Sequence, residues 1–113
     1  MRIIQSVLSI HELKKMAAAG FGDMVKAVVD VDREFVAVDA ELHADLEALL
    51  LDGGSQQRNL WGINLYPEID GDGFIEFDSM INMRPSQDNR SRGVEDAATR
   101  GKIISVVKKR VPR

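Results

Sequence analysis

The sequence predicts an α+β fold, a mostly antiparallel sheet of about six strands with two helices packed on one face. Three observations point to it. Several short runs alternate apolar and polar residues, as strands of an antiparallel sheet do. Short polar or Gly-containing breaks separate most of them, too short to carry parallel strands across a sheet. Two longer stretches, near the two ends, place apolar residues at helical spacing instead. The 113 residues suit one domain, 1–113, long enough to bury a core without staples.

Residues 2–7, "RIIQSV", read as a short strand. Ser9 and Glu12 then form a capping box ahead of a helix whose face carries Ile10, Leu13, Met16 and Ala17. Gly20 and Gly22 end it. In "MVKAVVDVD", Val25, Ala27, Val29 and Val31 point one way and Lys26, Asp30 and Asp32 the other. "EFVAVD" follows after a tight polar break and completes a hairpin.

The segment "ELHADLEALLL" fits two patterns. Leu42, Leu46, Leu49 and Leu50 suit a helix, while Leu42, Ala44, Leu46, Ala48 and Leu50 suit one face of a strand. The "DGGSQQ" turn and the strand-like "NLWGINLYP" behind it favour a hairpin partner, so 41–51 is expected to be a strand. "NLWGINLYP" and "GFIEFDSMINMRP" are the clearest strands. Trp61, Ile63 and Leu65 share one face of the first, and Ile75, Phe77, Ile81 and Met83 one face of the second. The last helix is expected to start with Asp96 as N-cap and run to about Val111, with Ile103, Ile104, Val107 and Val111 as its stripe. Lys108, Lys109 and Arg110 suit its C-terminal dipole, and Pro112 stops it.

"EIDGDGFIEFDS", residues 68–79, looks like a calcium loop. With Gly73 at position 6 of such a loop, position 12 is Ser79, where a bidentate Glu is needed. A strand and Pro67 precede it where a helix should be. "DGDG" between two alternating runs is a hairpin turn.

There is no cysteine, which excludes disulfides and thiolate metal sites and fits a reducing cytosol. The N-terminal apolar run is too short for a signal peptide, and no stretch could span a membrane, so a cytoplasmic protein is expected. The net charge of −3 is unevenly spread. Residues 23–78 carry 14 acids and 3 bases, and residues 79–113 carry 3 acids and 9 bases. Pairing between these parts of one chain is the favoured reading; contact of the basic end with an anion or an acidic partner is the other.

The opposite parity of the two clearest strands defines a polar face: Glu76, Asp78, Asn82 and Arg84 on one, Asn64 and Tyr66 on the other. His43 and Glu47 share a side whether 41–51 is helix or strand. "RPSQDNRSRG" then places Arg84, Arg90 and Arg92 with Ser91 in a long loop, and arginine forks grip carboxylates or phosphates. The arginines either pair with internal carboxylates or bind an external anion.

"ELHADLEALLLDGGSQQRNLWGINLYPE", "FIEFDSMINMRPSQDNRSRGVED" and the terminal helix resemble a small uncharacterised prokaryotic family, domain of unknown function 5674. The resemblance covers nearly the whole chain and implies a stand-alone cytosolic protein of this size. It implies no activity and supplies no catalytic residue.

Two functional classes follow. The first is a small binding or interaction module, with an anion-binding loop of Arg84, Arg90, Arg92 and Ser91 beside the polar face, and with self-association into a homodimer through a sheet edge. The alternative is a small phosphodiester-acting enzyme, a toxin-like ribonuclease. It would use His43 as acid or base, Glu47, Glu76 and Asp78 as partners, and the arginines as a phosphate clamp. Its substrate would be RNA or a small anionic ligand. The acidic total and only 6 aromatics speak against a broad nucleic-acid surface. A divalent-metal version would draw on His43, Asp45, Glu76 and Asp78, whose spacing matches no metal signature, so neither a metal nor a cofactor is expected.

Overall fold

The computed structural model describes residues 1–113. Five strands form one antiparallel sheet: β1 (Arg2–Ile4), β2 (Val25–Asp30), β3 (Phe35–Val38), β4 (Leu60–Leu65) and β5 (Ile75–Glu76), in spatial order β1-β3-β2-β4-β5. There are three α-helices, α1 (Ile10–Ala19), α2 (His43–Asp52) and α3 (Ala97–Arg110). The fold is α+β as expected, with one strand fewer and one helix more than the alternation implied.

Helices α1 and α3 cover one face of the sheet. Leu13 and Ala17 of α1 and Ile103, Val106 and Val107 of α3 pack with Ala27, Val29, Val36, Val38, Trp61, Ile63 and Leu65. Trp61 is only 6% exposed, as its parity predicts. Ser9 caps α1 by accepting the Glu12 N–H, but the Glu12 carboxylate turns to Arg2 rather than back to the cap, so the box is half closed. Gly20 is the C-cap, and Gly22 (φ 99°) returns its N–H to Ala17. Asp96 caps α3 through the Thr99 N–H.

The main correction concerns 41–51, which is helix and not strand. The sheet is apolar on both faces over part of its area. Val28, Ala37 and Leu60 project away from α1 and α3, and Leu46 and Leu50 of α2 bury them. Val28 stands at the parity read as polar, so the need for a second cover lay in the middle of β2. Helical spacing brings Leu46 and Leu50 onto one stripe, which satisfies that need in a single turn.

The second correction concerns "GFIEFDSMINMRP". Only Ile75–Glu76 joins the ladder, opposite Asn64–Leu65. Beyond it the chain leaves the sheet and coils into a 3₁₀ turn at Met80–Asn82. A side chain takes over the missing pairing. Asn82 Oδ1 accepts the Gly62 N–H at 2.8 Å, and its Nδ2 donates to the Gly62 carbonyl at 2.9 Å. The close approach requires glycine, since a Cβ at 62 would lie 2.5 Å from the Ser79 Cβ. The first part of the 68–79 stretch lies in the β4–β5 turn, with a 3₁₀ segment at Gly71–Phe74, and the rest supplies β5 and the chain leaving it. Asp70 there is paired with Arg113 at 2.6 Å.

The charge halves do meet within the chain. Lys109 pairs with Glu34, Arg92 with Asp78 and Arg113 with Asp70, three contacts between the basic end and the acidic middle. No helix is long and apolar enough to cross a membrane.

Candidate functional site

The second face of the sheet is apolar under α2 and polar beyond its N-terminus. In register, Lys26 of β2 faces Asn64 of β4, and Asn64 faces Glu76 of β5, so a row of three polar side chains crosses the sheet. Asn64 is 4% exposed and donates from Nδ2 to Glu76 Oε1 (2.8 Å) and to the Asp78 carbonyl (3.3 Å). Two acceptors on one atom fix which end of the amide is nitrogen. Its Oδ1 is enclosed without a partner. Tyr66 adds a second donor to Glu76 Oε1 at 3.1 Å, and its phenol is raised above the usual range by burial first and by the Glu76 contact next.

His43, the first residue of α2, reaches down to this row. Its Nε2 lies 2.8 Å from the Ile63 carbonyl. A carbonyl only accepts, so Nε2 carries the proton and Nδ1 keeps its lone pair. The structure gives Nδ1 no protein partner. Burial, above all, holds the imidazole below its ordinary pKa; Lys26 and Arg92 push the same way, while the Ile63 carbonyl and Asp78 oppose them. The environment of His43 therefore favours the neutral imidazole.

Asp78 and Arg92 close the group. Arg92 Nε donates to Asp78 Oδ1 at 2.5 Å, with both side chains partly open to solvent. That bond holds the Asp78 carboxyl below its usual range and raises Arg92. Arg92 is delivered by a loop that two buried asparagines organise. Asn82 Nδ2 donates to the Arg92 carbonyl as well as to Gly62. Asn89 Nδ2 donates to the carbonyls of Asn82, Ser91 and Gly93, and its Oδ1 accepts the Glu95 N–H.

The structure thus brings together His43, Glu76, Asp78 and Arg92. It places four other nominated residues elsewhere. Glu47 has its Oε2 enclosed without a hydrogen bond, and its charge acts on Arg84, which is desolvated by burial. Arg84 donates to the carbonyls of Gln57 and Leu60 and stacks 4.3 Å over Trp61, a structural clamp. Arg90 is exposed beside a still more exposed Asp88, 3.8 Å away. Ser91 turns its hydroxyl to the Gly93 N–H, and its own N–H goes to Glu95. No three His, Asp or Glu side chains gather closely enough to hold a metal ion. Lys26 was not nominated, although its polar parity in β2 was the available signal. Asn64 and Tyr66 were visible at the right parity, but nothing in the sequence marks them as orienting Glu76.

Fold and site define an α+β domain, a five-stranded antiparallel sheet between two helices and one, with a charge-balanced polar cluster where the single helix begins. The chain belongs to the family of proteins of unknown function DUF5674, which it matches over residues 2–110. No curated protein and no solved structure matches it.

Proposed function

We propose that this chain is a small binding module whose ligand meets the His43 face, and that the ligand is a small anion carrying a hydroxyl group. The single observation behind this reading is the 2.8 Å contact of His43 Nε2 with the Ile63 carbonyl, which assigns the tautomer. With Nε2–H committed to Ile63, the free Nδ1 lone pair is an acceptor for a hydroxyl proton. Lys26 and the uncommitted N–H groups of Arg92 supply positive charge beside it, both near enough to influence the imidazole. Glu76 and Asp78 balance that charge, which suits recognition of a polar ligand with one anionic group better than a long polyanion. Arg92 alone of the three loop arginines keeps donors at this face. Arg84 spends its donors on the fold, and Arg90 is solvated.

A second reading rests on the same imidazole. A neutral, oriented histidine beside two cations is a general base near a phosphate, the arrangement a ribonuclease uses to deprotonate a ribose hydroxyl. The tyrosine hydroxyl that could have protonated a leaving group is occupied donating a hydrogen bond to Glu76. A base without a matching acid favours binding over turnover.

Ribose 5-phosphate at millimolar concentration is expected to raise the melting temperature relative to equimolar sodium chloride. His43→Gln and Arg92→Ala are each expected to remove that response while leaving the protein folded. A response that survives both substitutions, or none in the native protein, overturns the binding reading. Cleavage of a fluorogenic oligoribonucleotide that His43→Gln abolishes, with the deoxy analogue uncut, would establish the enzyme instead.

A further inference from the structure

On the opposite side of the sheet, a groove of about 640 Å³ runs between α3 and the β4–β5 hairpin. Its volume falls in the range of small-ligand pockets. Phe74, Val107 and Val111 form a buried floor, and Ile75, Phe77 and Ile104 are walls left half-exposed. The exposed apolar area is too small for a protein interface and suits a small apolar group instead.

The rim carries charge of mostly one sign. Arg100, Ile104, Val107 and Lys108 lie on one stripe of α3, with Val111 at its C-cap, so Arg100 and Lys108 bracket Ile104 across roughly 12 Å of helix. Arg113 sits 4.7 Å above the Phe74 ring, and its charge is met by Asp70. Arg100 uses one nitrogen on the carbonyls of Val94 and Glu95. Lys108 has no carboxylate within ion-pair distance, and Asp72 is the one acid in the lining.

We infer that this groove is a second binding site, for a small amphipathic anion: an apolar chain or ring seated on Phe74, Ile75 and Ile104, with a carboxylate or similar head group on Lys108. The charge selects the occupant. A neutral or cationic apolar molecule would leave Lys108 without a partner, whereas an anionic head meets an unpaired ammonium at the edge of an apolar slot. A second copy of this chain is the poorer fit, because the adjacent sheet edge offers only the two residues Ile75–Glu76 for strand addition.

Sodium decanoate is the probe, titrated below its micelle-forming concentration against amide NMR spectra of the whole chain. Saturable shifts are expected at Ile75, Phe77, Ile104 and Lys108, with Lys26 and His43 on the other face undisturbed. Decyltrimethylammonium is expected to bind about tenfold more weakly, and Lys108→Gln to weaken decanoate by about the same factor. Lys108 is exposed, so that variant keeps the fold. Ile104→Asp, checked for native circular dichroism, is expected to abolish binding. Equal affinity for the two chains, unchanged affinity in Lys108→Gln, or shifts spread beyond the groove would each overturn the inference. So would sedimentation showing a dimer that Ile104→Asp dissociates, since the groove would then be a contact between copies.

Discussion

The two faces of the sheet are built by the same strands and are finished in different ways. On the α1/α3 face, 18 buried apolar residues form one continuous cluster that needs nothing but volume and shape. On the α2 face only five do, and the remaining area is closed by polar side chains with particular partners. There, Asn82 completes a strand ladder, Asn64 orients Glu76 and His43 anchors to a carbonyl. The difference teaches where each property resides. Apolar burial is concentrated on the first face, and on the second each hydrogen bond fixes one atom.

Removing the largest side chain of the apolar face is the strongest test of that division. Trp61→Ala is expected to cost about 3–5 kcal/mol in urea denaturation, because the cavity also unseats the Arg84 guanidinium stacked on the ring. Asn82→Ala is expected to cost somewhat less, about 2–4 kcal/mol, by leaving the Gly62 N–H and carbonyl unpaired in the interior. If the order were reversed, the polar face would be the chief source of stability and the comparison would fail.

Gly62→Ala probes the same joint by steric means. About 1–3 kcal/mol is expected, and Ser79→Gly in the same chain should recover part of it, since the Ser79 Cβ is the atom in the way. Absence of recovery would mean that backbone freedom, not contact, is what Gly62 supplies.

Histidine 43 gives a smaller effect with a definite sign. Its folded pKa lies below the unfolded value of 6.5, so the unfolded chain takes up the proton first as pH falls. Stability should therefore decline as pH drops below about 6.5 and level off once the folded imidazole also protonates. His43→Gln should flatten that decline in melting curves between pH 7 and 5, a window set by the ordinary histidine pKa of about 6.5. A steeper decline in the variant would reverse the assigned direction. At the bottom of the scale, Arg90→Ala should leave the urea midpoint unchanged, because an exposed pair with Asp88 is screened by water.

The apolar face was legible in the sequence for the reason that it is interchangeable. Trp61, Ile63 and Leu65 announce their parity, and Ser9 and Asp96 announce the helices that cover them. The α2 face was read only in part. "ELHADLEALLL" carries period 2 and period 3.6 together, and the helix begins at Leu42 with no capping side chain to decide between them. His43, Glu76 and Asp78 were nominated from composition and parity alone. The influence of Glu47 on Arg84 was not legible, because spacing along a helix says nothing of an arginine that arrives from another segment. The roles of Asn82 and Asn89 left no local trace, since a loop asparagine that serves as a hub has the same spelling as one in water.

The clasp on Gly62 bears on how this chain survives its own folding. Strand β4, "LWGINL", holds six consecutive residues without a charge or a proline, the composition of segments that stack into fibrils. Its outer edge is protected along two residues by β5, and next to them by one amide that arrives from twenty positions away. Until the Met80–Asn82 turn docks, that edge is open to another chain. Refolding yield should therefore fall with rising protein concentration, and most steeply in chains without Asn82.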